Sequence, residues 1–346
     1  MNKALLLCIA ATFVCSISFA TIRRVGYWGT AITNVDFATG ELAVTASSNG
    51  DTILVYPSSN TWSFSNLNKR LVIIGTGYYH YPGANGVTNY NAGLQNLQPS
   101  TICYFYFYPG CDSSIITGCE FYAYTQGTAD IKNVKVTNCR VSYIYFDQPY
   151  TYDGWEVSKC ELISTGIYGY NNSKITNLKM FNCVVDGGYG IYTLSTTPGQ
   201  TGIIENCTFI SSGMNLQNQG FLIQNCILYS SIANYSNTVF NNNIFVAVPS
   251  PAVSGANNIT GVSYTTLFIG YPTQGTYSND ERFKLKPGSA ALGAGINGVD
   301  CGAFGGVNPY KLSGIPAIPA FYKLTAPSSA ASANPYTITF SVRSNN

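Results

Sequence analysis

Between Ser114 and Phe245 apolar and polar positions recur in one short phrase: ITGCEF, VTNCRV, VSKCEL, MFNCVV, IENCTF, IQNCIL and FNNNIF. A column runs through it at Cys119, Cys139, Cys160, Cys183, Cys207, Cys226 and Asn243, at intervals of 17 to 24 residues. Three residues before the column stand Ile116, Val136, Val157, Met180, Ile204, Ile223 and Phe240; two after it stand Phe121, Val141, Leu162, Val185, Phe209, Leu228 and Phe245. Such alternation is the period of a strand, and a self-similar unit of about 20 residues lies in the range of solenoids. One unit is too small to own a core. Stacked coils pair strand on strand at about 4.8 Å and set like residues over like, so the inward column becomes one apolar ladder.

Just before the column stand Asn138, Asn182, Asn206, Asn225 and Asn242, with Gly118 and Lys159 as exceptions. Asn and Gly enter the left-handed backbone region most cheaply, which a sharp bend between two strands demands. Beyond this corner each unit carries a second strand and usually a third, as in GIYGY before Asn171 and GYGIYTL before Ser195. Regular leucines and helical segments, which a leucine-rich repeat needs, are missing. The pattern predicts an all-β chain: a right-handed parallel β-helix, a solenoid of three strands per coil, with an N-terminal cap over 21–50 and an extended C-terminal tail.

The stretches GDTILVYP (50–57) and NKRLVIIGTG (68–77), and FKLKPGSA (283–290) with DCGAFGG (300–306), resemble the opening and closing coils of secreted right-handed β-helix proteins of the pectate-lyase-like superfamily. The resemblance implies a β-helix over 51–306. It leaves activity open, because the superfamily holds lyases, hydrolases, epimerases, adhesins and many bacterial proteins of no assigned role.

Residues 1–20 read as a secretory signal peptide: Lys3, an apolar run from Ala4 to Phe19, and the small-x-small site Ser18-Phe19-Ala20. The expected location is extracellular, in the medium or at the cell surface. No later apolar run approaches a membrane span. With 17 basic and 15 acidic residues, the chain has no basic stripe for nucleic acid. Of its 11 cysteines, those beyond Cys8 and Cys15 are odd in number, and stacked parallel side chains sit about 4.8 Å apart at Cβ, beyond disulfide reach. Buried free thiols packing as small hydrophobes are expected. CxxC pairs and histidine partners are missing, so neither a metal site nor a cofactor is implied.

Polysaccharide cleavage on this fold needs paired carboxylates, or a cation with a basic residue that removes a proton beside a uronate. The glycoside hydrolases of the superfamily carry an Asp pair, a His-Gly and an Arg-x-Lys; this chain has no Asp-Asp, and its one histidine, His80, precedes Tyr81. The weak catalytic candidates are Glu120, Arg140 and Glu161, each one residue past the column, with Lys135 nearby. Alternation sends all three outward, where a surface ion-pair ladder is the ordinary reading. Tyrosine is abundant, at 27 residues. Tyr122 and Tyr124, Tyr143 and Tyr145, Tyr168 and Tyr170, and Tyr192 follow the column at spacings that place pairs on one face, preceded by Tyr104, Tyr106 and Tyr108. Such a face suits stacking on sugar rings, and equally suits cross-strand packing.

His80 falls in an aperiodic run from Gly75 to Ser100 that reads as a loop. In the cap, Leu42, Ala43 and Ala46 suggest one face of a short helix, flanked by Arg23 and Arg24. The Pro-rich tail, 307–346, ends in a strand: Ile338, Phe340 and Val342 alternate with Thr337, Thr339, Ser341 and Arg343. It either packs back on the solenoid or its last rung, or self-associates by completing a neighbour's edge. The sequence favours a non-catalytic protein that binds an extracellular polysaccharide, adheres, or serves as a structural subunit; the alternative is a polysaccharide lyase or glycoside hydrolase with an atypical site.

Overall fold

The computed structural model describes residues 20–26, 36–58, 61–79, 101–188, 190–193, 198–210, 213–217, 219–229, 232–325 and 337–343. The expected signal peptide, residues 1–20, lies outside these residues except for Ala20, and so does His80.

The inward file found in the sequence is continuous. Ile53, Ile73, Ile116, Val136, Val157, Met180, Ile204, Ile223 and Phe240 are buried and paired in direct parallel register from strand to strand. They belong to a ten-stranded sheet, and a 12-stranded sheet beside it carries the files that follow the column. A three-stranded sheet, of Ile131–Lys132, Thr151–Asp153 and Lys174–Thr176, closes the middle coils. The chain is a right-handed parallel β-helix.

Between the first two sheets the corner is left-handed at every unit: φ is 68° at Gly118, 53° at Asn138 and Lys159, and 51° to 55° at Asn182, Asn206, Asn225 and Asn242. The next residue starts the column, which the structure extends at both ends. Glu120 N donates to Thr101 O as Arg140 N donates to Cys119 O, so Thr101 precedes Cys119. Asn258 follows Asn243 after a step of 15 residues.

All nine cysteines of the described residues are buried and free. The six cysteines of the column also hydrogen-bond. Cys160 Sγ reaches Val136 O at 3.6 Å and Cys183 Sγ reaches Val157 O at 3.5 Å, each a carbonyl of the preceding coil. Asn243 Nδ2 makes the same bond to Ile223 O at 2.9 Å, and its Oδ1 accepts from Cys226 N at 2.9 Å, as Cys226 Sγ accepts from Cys207 N at 3.3 Å. Thiol and amide thus occupy one hydrogen-bonded ladder, with the stronger donor at its end.

The first strand, Ile22–Val25, pairs with Thr52–Val55 and puts Arg23 at the head of the inward file, over Ile53. Its guanidinium pairs with Asp51 at 3.1 Å. A charge there blocks edge-to-edge pairing, so Arg23 belongs to the sheet rather than flanking it. A helix covers this end at Gly40–Ala46, with Thr39 as its N-cap. Its buried face is Gly40, Ala43 and Val44, not the expected Leu42, Ala43 and Ala46; Leu42 is exposed. Close approach decides this: a Cβ on Gly40 would lie 2.4 Å from Ser63 O.

Past Phe245 the chain folds back along the outside of the 12-stranded sheet. The residue after the column is charged in the early coils (Glu120, Arg140, Glu161), then Val184, Thr208, Ile227 and Ile244, in direct register. Leu267, Phe268, Phe283, Ala303 and Tyr310 bury those apolar outward residues in a second core. Corner asparagines hold this cover: Asn182 Nδ2 donates to Gly305 O, Asn206 Nδ2 to Asp300 O, and Asn225 Oδ1 accepts from Ile296 N, all at 2.8–2.9 Å. The closing strand differs from expectation. Thr339–Arg343 does not join the last rung; it pairs antiparallel with Ala320–Thr325 in a two-stranded sheet of its own. Strong alternation suits either arrangement, and the partner was hidden in the Pro-rich text. Among the described residues no helix is long and apolar enough to cross a membrane.

Candidate functional site

On the outer face of the 12-stranded sheet two files of tyrosine run along the coil axis. One is Tyr104, Tyr122 and Tyr143; the other is Tyr106, Tyr124, Tyr145, Tyr168 and Tyr192, each in direct register with the next. The sequence spacing alone does not give this. Tyr143 stands one residue further from its cysteine than Tyr122 does from its own, and a register shift between Val141 and Tyr143 returns it to the outward face. Neighbouring rings lie 4.6 Å apart for Tyr104 and Tyr122, 5.2 Å for Tyr124 and Tyr145, and 5.0 Å for Tyr145 and Tyr168; Tyr168 and Tyr192 stack at 5.4 Å and 12°.

These rings are half-buried against one another, and Tyr170 at the margin is 46% exposed. Tyr124 and Tyr143 hydroxyls meet at 3.2 Å. Burial, then neighbouring hydroxyls, push the Tyr104 and Tyr143 phenols above their ordinary range, so both stay protonated donors. The tyrosine files bear hydroxyls and no charge, with the partly exposed Glu120 and Arg140 beside them on the same outward face. Tyr104 and Tyr106 head the files, and register places them in line with the other six.

The charged candidates are stacked as expected but are not a surface ladder. Arg140 Nη1 donates to Glu120 at 2.5 Å, and its Nε donates to Glu161 at 3.1 Å and to the Tyr79 hydroxyl at 2.8 Å, with the Tyr79 ring 5.0 Å from the guanidinium. Tyr78 and Tyr79, in what reads as the start of a loop, are buried. Tyr78 bonds the Tyr310 hydroxyl at 2.6 Å, and Asp280 Oδ2 accepts from Ser313 N at 2.6 Å, so the cover locks over the coil here. The Glu161 side chain is 2% exposed. Burial outweighs Arg140, and with the nearby carboxylates Asp280 and Asp186 pushes its carboxyl up to about 7. A carboxyl so placed beside an arginine has the makings of an acid–base pair. Glu161 is closed in between Arg140 and Tyr79, while Arg140 and Glu120 keep 16% and 14% of their side chains exposed. Lys135 is not part of it; its ammonium pairs with Glu156 at 2.9 Å.

No family model matches the chain, and no curated protein matches it. Among solved structures, the pectate lyase Pel9A is similar, with 14% identity over 84% of this chain and 97% of that one, at a TM-score of 0.37. Pectate lyase describes that protein. The chemistry of this chain rests on its own side chains. Among the described residues no group of three or more His, Cys, Asp or Glu is placed to hold a metal ion.

Proposed function

We propose that the protein is an extracellular, non-catalytic β-helix that holds a polysaccharide along its tyrosine face. One observation carries the reading: five tyrosines in register on five consecutive strands of a rigid sheet, flanked by a shorter parallel file. Tyrosine offers sugar rings an apolar surface with a hydroxyl at its rim, at little cost in side-chain entropy. Repetition along the coil axis gives a linear polymer successive contacts, so weak individual stacking adds up. The absence of charge from the two tyrosine files favours a neutral glycan over an acidic one.

The expected leader supports secretion, and the burial of Glu161 beside Arg140 and Tyr79 supports a non-catalytic role. The test is a panel of neutral and acidic polysaccharides scored for retention and for new reducing ends. Retention on neutral polymers without cleavage is expected; steady release of fragments would replace binding by hydrolysis or elimination. The terminal hairpin supports a second contact, with another copy of the chain, because Ile338 and Phe340 are 53% and 60% exposed. Removing 320–346 should then lower the assembly state in size-exclusion chromatography, and an unchanged elution mass relative to chain length would exclude it.

A further inference from the structure

The corner column contains one residue that breaks its rule. Five corners use asparagine and one glycine, but Lys159 also adopts φ 53°, a conformation that a long L side chain enters only at a cost. Asn182, Asn206, Asn225 and Asn242 repay the left-handed turn by hydrogen-bonding the cover. Lys159 does not reach that backbone. Its ammonium donates to Asn308 Oδ1 at 3.2 Å, and it has no carboxylate partner among the described residues. An unfavourable backbone kept at a position where asparagine would serve points to a role for the side chain.

Lys159 lines a groove of about 420 Å³ between the outer face of the ten-stranded sheet and the segment 296–308. The floor is in register from strand to strand: Thr137, Ser158, Phe181, Glu205 and Gln224. Hydroxyls and amides thus stand beside one aromatic ring, with a cation that has no carboxylate within ion-pair distance among the described residues. Burial, then Lys311 and Lys135, hold the Lys159 ammonium below its ordinary range, and Glu156 opposes them. An incoming anion would relieve that repulsion. The floor also carries the carboxylates Glu156 and Glu205, which disfavour a doubly charged ligand more than a singly charged one.

We propose that this groove is a second binding site, separate from the tyrosine face, that takes a sugar acid, with its carboxylate on Lys159 and its hydroxyls on Ser158, Thr137 and Asn308. Phe181 gives the ring an apolar surface. The size suits one or two sugar units.

The experiment is calorimetric titration of the full chain with glucuronate, glucose and inorganic phosphate, repeated on Lys159→Asn. That substitution installs the residue the other corners use, so the melting temperature should hold or rise. Glucuronate is expected to bind in the millimolar range, with glucose and phosphate at least about tenfold weaker, and Lys159→Asn should weaken glucuronate by about tenfold or more, the worth of a charged hydrogen bond. A Tyr124→Ala variant should bind glucuronate as the natural chain does, which separates this site from the tyrosine face. Equal affinity for phosphate, no glucuronate binding, or full binding by Lys159→Asn would each overturn the proposal.

Discussion

Glu161 lies one coil beyond Arg140 in direct register, its carboxylate 3.1 Å from the guanidinium and 2% exposed. Tyr79 closes over the pair, so the ion pair most open to a catalytic reading holds one of the three buried carboxyl groups among the described residues. Its energetic signature is a dependence of stability on pH. The folded carboxyl, raised from the ordinary 4.5 to about 7, holds a proton that the unfolded chain has released. That contribution is fully present below pH 4.5 and is lost as pH rises through 7. A shift of this size is worth about 3 kcal/mol. Urea midpoints should therefore fall between pH 5 and 7.5 more steeply for the natural chain than for Glu161→Gln, the comparison cancelling Asp186, which burial also raises. Parallel curves would mean that Glu161 is charged and solvated at neutral pH.

The corner asparagines carry two separable contributions. Asn206→Gly keeps the left-handed turn and loses only the bond to Asp300 O, at a cost of about 1 kcal/mol. Asn206→Ala loses the bond and adds roughly 1–2 kcal/mol of backbone strain. Denaturant midpoints should rank natural chain, glycine, alanine; equal effects would assign the residue to one of the two jobs alone.

Cys207 is fully buried, and its sulfur accepts from Cys183 N at 3.4 Å. Its one thiol hydrogen is shared between Met180 O at 3.6 Å and Glu205 O at 3.3 Å, and burial holds it protonated. Cys207→Ser should cost within about 1 kcal/mol, whereas Cys207→Leu should cost about 1–3 kcal/mol through overpacking. In thiol titration, all nine cysteines of the described residues should stay silent in the folded chain and react after denaturation.

Gly314 fixes the end of the cover. Its φ is +53°, and a Cβ there would lie 2.3 Å from the Tyr78 ring and 2.4 Å from Asn138 O. Gly314→Ala should loosen the segment from Ser278 to Pro316 without melting the coils, seen as faster hydrogen exchange confined to that segment and Tyr78. Uniform protection would show that the cover is held elsewhere.

The coils were legible because their signal is local. Column, flanking apolar files and asparagine corner all fall within six residues, and stacking repeats them. The coil at Asn258 escaped notice because cysteine had given way to asparagine and the interval had shortened to 15 residues. The cover is a long-range feature. Its trace was the residue after the column, which changes from Glu120, Arg140 and Glu161 to Val184, Ile227 and Ile244, an outward file turning apolar. Burial of Glu161 depends on Tyr79 and Asp280, residues far away in the chain, so no spacing announced it. Tyrosine pairs were visible as pairs, but their alignment needed the shift at Ser142.

The most direct test of the account is affinity electrophoresis in gels containing neutral polysaccharides, run with the natural chain and a Tyr124→Ala/Tyr145→Ala variant, with reducing ends assayed in parallel. Both side chains point outward from the middle of the longer file, so the variant should fold. The account predicts retardation of the natural chain in at least one neutral polymer, loss of about tenfold or more in affinity for the variant, at roughly 1 kcal/mol per ring stacking contact, and no new reducing ends. Retardation that survives both substitutions, or polymer cleaved by the natural chain, would contradict it.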